Sequence, residues 1–363
     1  MTRDELALIW FDYQGYDFLK VEKILTNFNE ISDIFDVNLT KNALFDNVGI
    51  ENLKEKLTNI NEQEFAKKIE DEFYRYEISA VTYVSKNYPE KLKNISNPPL
   101  VLYVKGDDSL LNKKSISIIG SRKPSDYGKI VCEKFTKELS SAGLVTVSGL
   151  AYGIDTLVAE TSLDAGGKTI AVLAGGLDSI YPAQNKHLAD RVVQNGLLVS
   201  ENRIGIKPQS WSFVNRNRIV SGLGLGTLIV EAGRNSGTMT TARHAIEQGR
   251  ELFVVPGNIT SPNSEGTNQL IDEIPDTFTI SPDRILMRLK IKKKNENKTQ
   301  IEGVQVDLIQ SNILSVLSGG ELSFDDLAEK TKLPSSQLLS ELIKMEMFGL
   351  IKKGEGNIYY KLQ

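Results

Sequence analysis

Apolar and polar positions change rhythm along the 363 residues of the chain. From residue 1 to about 75, apolar residues fall at helical spacing. Leu6, Leu8, Ile9, Trp10, Tyr16, Leu19, Val21, Ile24 and Leu25 open the pattern, and Phe28, Ile31, Ile34, Phe35, Leu53, Leu57, Ile60, Phe65 and Ile69 continue it. This predicts a small helical domain. Residues 76–110 alternate instead, at Val81 and Tyr83 and again at Val101 and Tyr103, and Pro89, Pro98 and Pro99 interrupt any helix. That stretch predicts strands packed as an extension on the next domain.

Between residues 111 and 288 short apolar runs alternate with helical patterns. The runs are Ser115–Gly120, Leu144–Ser148, Thr169–Ala174, Leu197–Glu201, Gly226–Val230 and Glu251–Val255. Helices are expected between them near 126–141, 153–165, 184–195, 212–222 and 238–249. Such alternation predicts a parallel sheet covered on both faces, hence a doubly wound α/β domain. Residues 289–302 are polar and charged and read as a linker. From 303 to 363 follow three helical patterns and a hairpin turning on Gly354 and Gly356, with helix starts at Ser323 and Pro334-Ser335. Three helices and a hairpin make the order of a winged helix. The division is therefore 1–75, 76–288, 289–302 and 303–363.

Composition narrows the classes. A hydrophobic share of 40% and a charged share of 25% suit a soluble globular protein. A net charge of −4 excludes coating of nucleic acid by bulk charge and leaves room for a local basic site. The one cysteine, Cys132, rules out an internal disulfide framework and is expected to be a small buried hydrophobe in a reducing compartment. No apolar run has membrane-spanning length, and the first residues lack a signal-peptide pattern, so a cytoplasmic location is expected.

In an open parallel sheet, ligands bind at the carboxyl ends of the strands. Those ends carry Gly120-Ser121-Arg122, Ser148-Gly149-Leu150, Gly175-Gly176, Glu201-Asn202-Arg203, Glu231-Ala232-Gly233 and Pro256-Gly257. Ser236-Gly237-Thr238 opens a helix at the same edge. Glycines allow close approach, and helix N-termini offer free amides to anions. The segment from Ser210 to Gly224 adds Trp211, Phe213, Asn215, Arg216, Asn217 and Arg218. Arginine forks fit phosphate oxygens, and aromatic rings can stack on bases. The candidate DNA-binding set is Ser121, Arg122, Phe213, Arg216, Asn217, Arg218, Ser236 and Gly237.

Other chemistry loses support. Gly166-Gly167-Lys168-Thr169 imitates the end of a phosphate-binding loop, but Ser162 stands where that loop needs glycine, and the segment precedes a strand. His187 and His244 are far apart and show no metal-ligand spacing, so neither metal nor cofactor is expected. No nucleophile elbow is visible, and Glu231 is the single carboxylate at a central strand end suited to catalysis.

Several blocks in order resemble the DNA-processing protein A family, also called DprA or Smf. They are NYPEKLKNISNPPLVLYVKGD, IIGSRKPSDYG, VSGLAYGIDTLVAE, KTIAVLAGGLDSIYPAQN, FVNRNRIVSGL, LIVEAGRNSGTMTTARHAIEQGRELFVVPG and EGTNQLI. The resemblance covers most of the chain. It implies an extended Rossmann-like domain that binds single-stranded DNA, forms a homodimer and loads a RecA-type recombinase during natural transformation. It also implies a SAM-like N-terminal helical domain and a C-terminal winged helix. The family's DNA-contacting arginine falls on Arg122, and its aromatic and arginine block falls on Phe213, Arg216 and Arg218. Val214 replaces the usual proline, Ala159-Glu160 lacks the usual histidine, and Asp272-Glu273-Ile274-Pro275 replaces a Gly-Ala pair. The alternative reading is a nucleotide N-glycoside hydrolase, because Leu223-Gly224-Leu225-Gly226-Thr227-Leu228 followed by Glu231 is similar to the motif of phosphoribohydrolases. Fold alone does not separate the two.

Overall fold

The six apolar runs form one parallel sheet in a computed structural model, which describes residues 1–26, 28, 30–36, 56, 60–291, 308–318, 320–347 and 350–361. The strands are β1 (Ser79–Thr82), β2 (Val101–Gly106), β3 (Ser115–Ile119), β4 (Val145–Ser148), β5 (Thr169–Leu173), β6 (Leu197–Ser200), β7 (Gly226–Ile229) and β8 (Glu251–Val254). Their order across the sheet is β1-β2-β6-β5-β4-β3-β7-β8. From β6 to β8 every pairing is parallel, with registers such as Ser117↔Thr227 and Ile119↔Ile229 between β3 and β7. Strands β3 to β6 are buried along their whole length, which is why they read as continuous apolar runs. The extension at 76–110 supplies β1 and β2, which join the sheet antiparallel, with Val104 opposite Val199.

Helices run Arg3–Tyr13 (α1), Phe18–Leu25 (α2), Glu62–Tyr76 (α3), Glu90–Lys93 (α4), Asp126–Ser141 (α5), Ile154–Asp164 (α6) and Lys186–Asn195 (α7). Ser210–Leu223 (α8), Gly237–Glu247 (α9), Glu265–Glu273 (α10) and Pro282–Arg288 (α11) complete this part. Strand order reverses at β3: β4, β5 and β6 lie to one side, β7 and β8 to the other. The crevice between the carboxyl ends of β3 and β7 is therefore the place where such sheets take ligands. Gly166 and Lys168 precede β5 and lie at the opposite, amino-terminal end.

Helix α1 begins with a capping box between Thr2 and Glu5, and Leu6 to Phe11 are all buried. Ala7 to Phe11 share one core with Val101 and Tyr103 of β2, Leu173 of β5 and Leu188 and Val192 of α7. The described helices before residue 77 thus pack in the same compact unit as the sheet, residues 1–294. Expectations for residues 37–55 and 57–59, and for most of the linker, lie outside the described residues.

The second compact unit is residues 295–363. Its helices are Leu308–Leu317 (α12), Phe324–Thr331 (α13) and Ser335–Met347 (α14). Ser323 starts α13 as expected, in a capping box with Asp326. Leu322–Ser323 (β9) pairs with Ile358–Lys361 (β11), which forms the hairpin with Ile351–Lys353 (β10). Ile313, Leu327, Leu338, Leu342 and Tyr359 make a core of its own.

Candidate nucleic-acid interface

Leaving β3, the chain passes through Gly120 and Ser121 to Arg122 and Lys123, both exposed. The loop is fixed from below. Ser121 Oγ accepts from the Lys123 N–H at 3.1 Å, and the Ser121 carbonyl accepts from the N–H of Ile154, the first residue of α6, at 3.1 Å. The Arg122 side chain is left facing out, with its guanidinium 5.5 Å from the centroid of the Phe213 ring. That is cation–π distance, and it steers the guanidinium along the surface.

The N-terminus of α9 closes in from the β7 side. Thr238 Oγ1 donates to the Gly120 carbonyl at 3.1 Å, which ties that helix start to the end of β3. Gly237 is exposed, and Ser236 Oγ is enclosed without a partner. Asn217 Nδ2 reaches the Gly237 carbonyl at 3.5 Å, at the long limit of a hydrogen bond. Six of the eight expected residues, Ser121, Arg122, Phe213, Asn217, Ser236 and Gly237, therefore gather around the switch point. A helix N-terminus beside an exposed arginine suits an anion.

The other two turn away. Arg216 is 4% exposed. Its Nη1 donates to the carbonyl of Gly149 at 2.7 Å and to that of Val172, while Nε has no partner. Asp155 lies close by in α6 and accepts from the Gly149 N–H at 3.0 Å. Burial pushes Arg216 down to about 10, against the pull of Asp155. Burial likewise raises the Asp155 carboxyl, with Arg216 and the amides of Gly149 and Ala151 opposing it. Gly149 is required here, because a Cβ would overlap the Arg216 guanidinium. Arg216 thus joins α8 to the ends of β4 and β5 beneath the surface. Arg218 is spent sideways: its two terminal nitrogens bind Glu201 at 3.2 and 2.6 Å, and Nη1 also reaches the Asn215 carbonyl at 3.2 Å.

Glu231 is 2% exposed at the end of β7. Its carboxylate accepts from the Ser125 N–H at 2.9 Å and from the Ser125 hydroxyl, at the start of α5. A Cβ on Gly128 would overlap the Glu231 carboxylate, so glycine there lets that group sit against the first turn of α5. Glu231 also borders a cleft of about 460 Å³ with Ser125, Tyr127, Asn258, Ser261 and Ser264. Cys132 is fully buried, as expected, and burial pushes its thiol up to about 12.

Two residues at this edge escaped the sequence reading. Tyr181 packs edge-on against Phe213 at 5.3 Å between centroids, and Tyr152 against Tyr181 at 6.4 Å. Both tyrosines are nearly half exposed. They are single tyrosines in loops, outside any periodic pattern, and their one signal is a place just beyond a strand end.

Residues 79–290 match the family model described as DNA recombination-mediator protein A. The chain belongs to this family. Residues 304–357 match the DprA winged helix domain, so the family's α/β sheet and its winged helix are both present. Among family relatives, the DNA processing protein DprA of Bacillus subtilis is 46% identical over 197 residues, 54% of this chain and 66% of that protein. Protein Smf of Escherichia coli is 35% identical over 286 residues, 77% of this chain and 76% of that protein. The crystal structure of Streptococcus pneumoniae DprA superposes with a TM-score of 0.67 at 32% identity, covering 79% of this chain and 98% of that one. A structure of Helicobacter pylori DprA that bears on its single-stranded DNA binding mode superposes with a TM-score of 0.54 at 32% identity, covering 59% and 96%. Among the described residues no helix is long and apolar enough to cross a membrane.

Proposed function

We propose that the protein binds single-stranded DNA across the carboxyl edge of its sheet and acts without turnover, as a mediator that hands the strand to a RecA-type recombinase in natural transformation. Arg122 carries this reading: an exposed guanidinium over the Phe213 ring, beside the start of α9. Phosphate contacts position such a strand, and rings hold its bases without reading sequence. Ser121, Asn217, Ser236 and Gly237 complete the contact set. Arg216 and Arg218 enter it as the residues that hold α8 in place. The single-stranded DNA binding mode of the Helicobacter pylori relative supports the ligand class. A homodimer in the cytoplasm belongs to the same reading, as do the SAM-like helical domain at 1–75, the DNA-binding domain at 76–288 and the linker at 289–302.

The test is a titration of labelled oligonucleotide at several salt concentrations. Each phosphate neutralised contributes about 0.7 to the log–log slope for single strands. Arg122→Ala should weaken binding about tenfold for every sequence and flatten the slope by about that amount. Unchanged affinity and slope would remove the reading. The cleft beside Glu231 favours the nucleotide N-glycoside hydrolase as the second reading. Release of free base from nucleoside monophosphates by the parent protein, lost in Glu231→Gln, would install it instead.

A further inference from the structure

We propose that Tyr152, Tyr181 and Phe213 form a stacking track for the bases of the bound strand, running from Arg122 over the ends of β3, β4 and β5. The inference rests on the single-strand reading and extends it to residues beyond the arginine motif. The rings form a connected row, with centroids 6.4 and 5.3 Å apart and the Arg122 guanidinium 5.5 Å beyond the last ring. Their contacts are edge-to-face, at interplanar angles of 73° and 63°, so the rings do not stack on one another. Tyr152 is 42% exposed and Tyr181 47%. Phe213 is half-buried, and two exposed tyrosines continuing from it mark a binding surface more than a packing need.

The row is also held ready. Buried Asn185 donates from Nδ2 to the Leu150 carbonyl at 2.9 Å and to Thr156 Oγ1 at 2.8 Å, and Thr156 Oγ1 donates to the Ala151 carbonyl at 2.7 Å. These bonds tie the loop bearing Tyr181 to the loop bearing Tyr152. The Tyr152 hydroxyl donates to Gln184 Oε1 at 2.8 Å, which holds the ring itself. Little ordering is then left to be done when a base arrives. The cation at one end favours a nucleic-acid strand over a protein partner: phosphate meets Arg122 while the bases lie on rings, and ring faces accept any base. Binding should therefore tolerate sequence while requiring bases.

The experiment compares full-length parent protein with the Tyr152→Ala/Tyr181→Ala double variant, on an oligothymidine and on a base-free strand of equal length. Stacking predicts a loss of at least about fivefold for each ring on the oligothymidine, with an unchanged salt slope, and no loss on the base-free strand. Tyr181→Phe should retain parental affinity and Tyr152→Phe, which loses only the bond to Gln184, most of it, and the unfolding midpoint of the double variant should match the parent's. Parental affinity in the double variant overturns the track, as does an equal loss on both strands. A change of self-association with DNA affinity intact would assign the row to a protein interface and also overturn it. Arg122→Ala separates the two levels. If it weakens binding while the tyrosine variant does not, the track alone fails; if it too is silent, the single-strand reading fails with it.

Discussion

The lip of the sheet's carboxyl edge and the layer just beneath it hold the same residue types in opposite uses. On the lip, Arg122 is exposed and lies against an aromatic ring. Beneath, Arg216 is buried among carbonyls beside Asp155, and Arg218 is clamped on Glu201. One helix serves both layers: α8 sends Phe213 to the lip and Arg216 below it. An arginine-rich block at a strand end thus does not by itself say which arginine is free to meet a ligand. A buried guanidinium bonded to backbone carbonyls has used its donors on the scaffold, and only one held outward keeps its charge for phosphate.

The buried layer should matter most to stability. Removing a buried guanidinium leaves its carbonyl acceptors unsatisfied and the nearby carboxyl less compensated, at about 1–3 kcal/mol for each such group. Arg216→Ala should therefore lower stability by about that amount or more in denaturant unfolding, through Asp155 and the freed carbonyls of Gly149 and Val172. Arg122→Ala should leave stability within about 0.5 kcal/mol, as for a surface residue. If Arg216→Ala folded as stably as the parent and lost only DNA affinity, the two layers would have to be exchanged.

A half-buried carboxyl on the first helix should govern stability and not binding. Asp12 of α1 is half-buried, its carboxyl accepting from the Tyr103 hydroxyl at 2.7 Å. Burial pushes it up to about 7, with the Tyr103 bond and Arg203 opposing. Arg203 stacks at 4.7 Å over the ring of Tyr13, the neighbouring residue. A carboxyl raised in the folded state binds its proton more tightly there than in the unfolded chain. Its stabilising contribution is complete below about pH 4 and is lost as pH rises through about 7. Each pH unit within that window is worth at most about 1.4 kcal/mol. Asp12→Asn should flatten the fall in stability between pH 4 and 7, seen in thermal unfolding, and leave oligonucleotide affinity unchanged. An unaltered pH profile would show that the Asp12 carboxyl is hydrated.

Much of this was legible in the sequence. Each of the six parallel strands lies within one residue of its apolar run at either end, because strands buried on both faces are written as unbroken apolar stretches. Arg216 was written there as well. Ser212, Arg216, Ile219, Val220 and Leu223 are among the buried positions of α8, spaced four, seven, eight and eleven residues from the first. An arginine within that stripe points inward, and its position outweighs the affinity of its side chain for phosphate. Asp155 repeats the case, sharing the buried face of α6 with Val158, Ala159 and Ser162. The pairing of Arg218 with Glu201 was not legible, since it joins a helix to the end of β6 across seventeen residues of sequence. Nor was the row of Tyr152 and Tyr181, which only the strand order assembles.

Loss of the winged helix should change strand binding least. In this fold the third helix usually enters the major groove of a duplex. Here α14 offers Ser335, Ser336, Gln337, Ser340, Glu341 and Lys344. Lys344 is paired with Glu341 at 2.7 Å, and Glu341 also accepts from Gln310 at 2.8 Å, so the one lysine of the helix is neutralised within it, and Glu346 adds a further negative charge. The hairpin adds Lys352, Lys353 and Lys361, but Glu321, Asp325, Asp326 and Glu329 oppose a strong phosphate field. The unit has a core of its own, and the sheet together with its N-terminal helices ends at residue 294. A chain of residues 1–294 should therefore bind an oligonucleotide within about threefold of the full-length affinity, a difference under about 0.7 kcal/mol. Residues 295–363 alone should bind the same strand weakly, with a shallow salt slope. If that fragment carried most of the affinity, the charge paired away on α14 would not be what limits it, and the phosphate contacts would have to be sought there and not at Arg122.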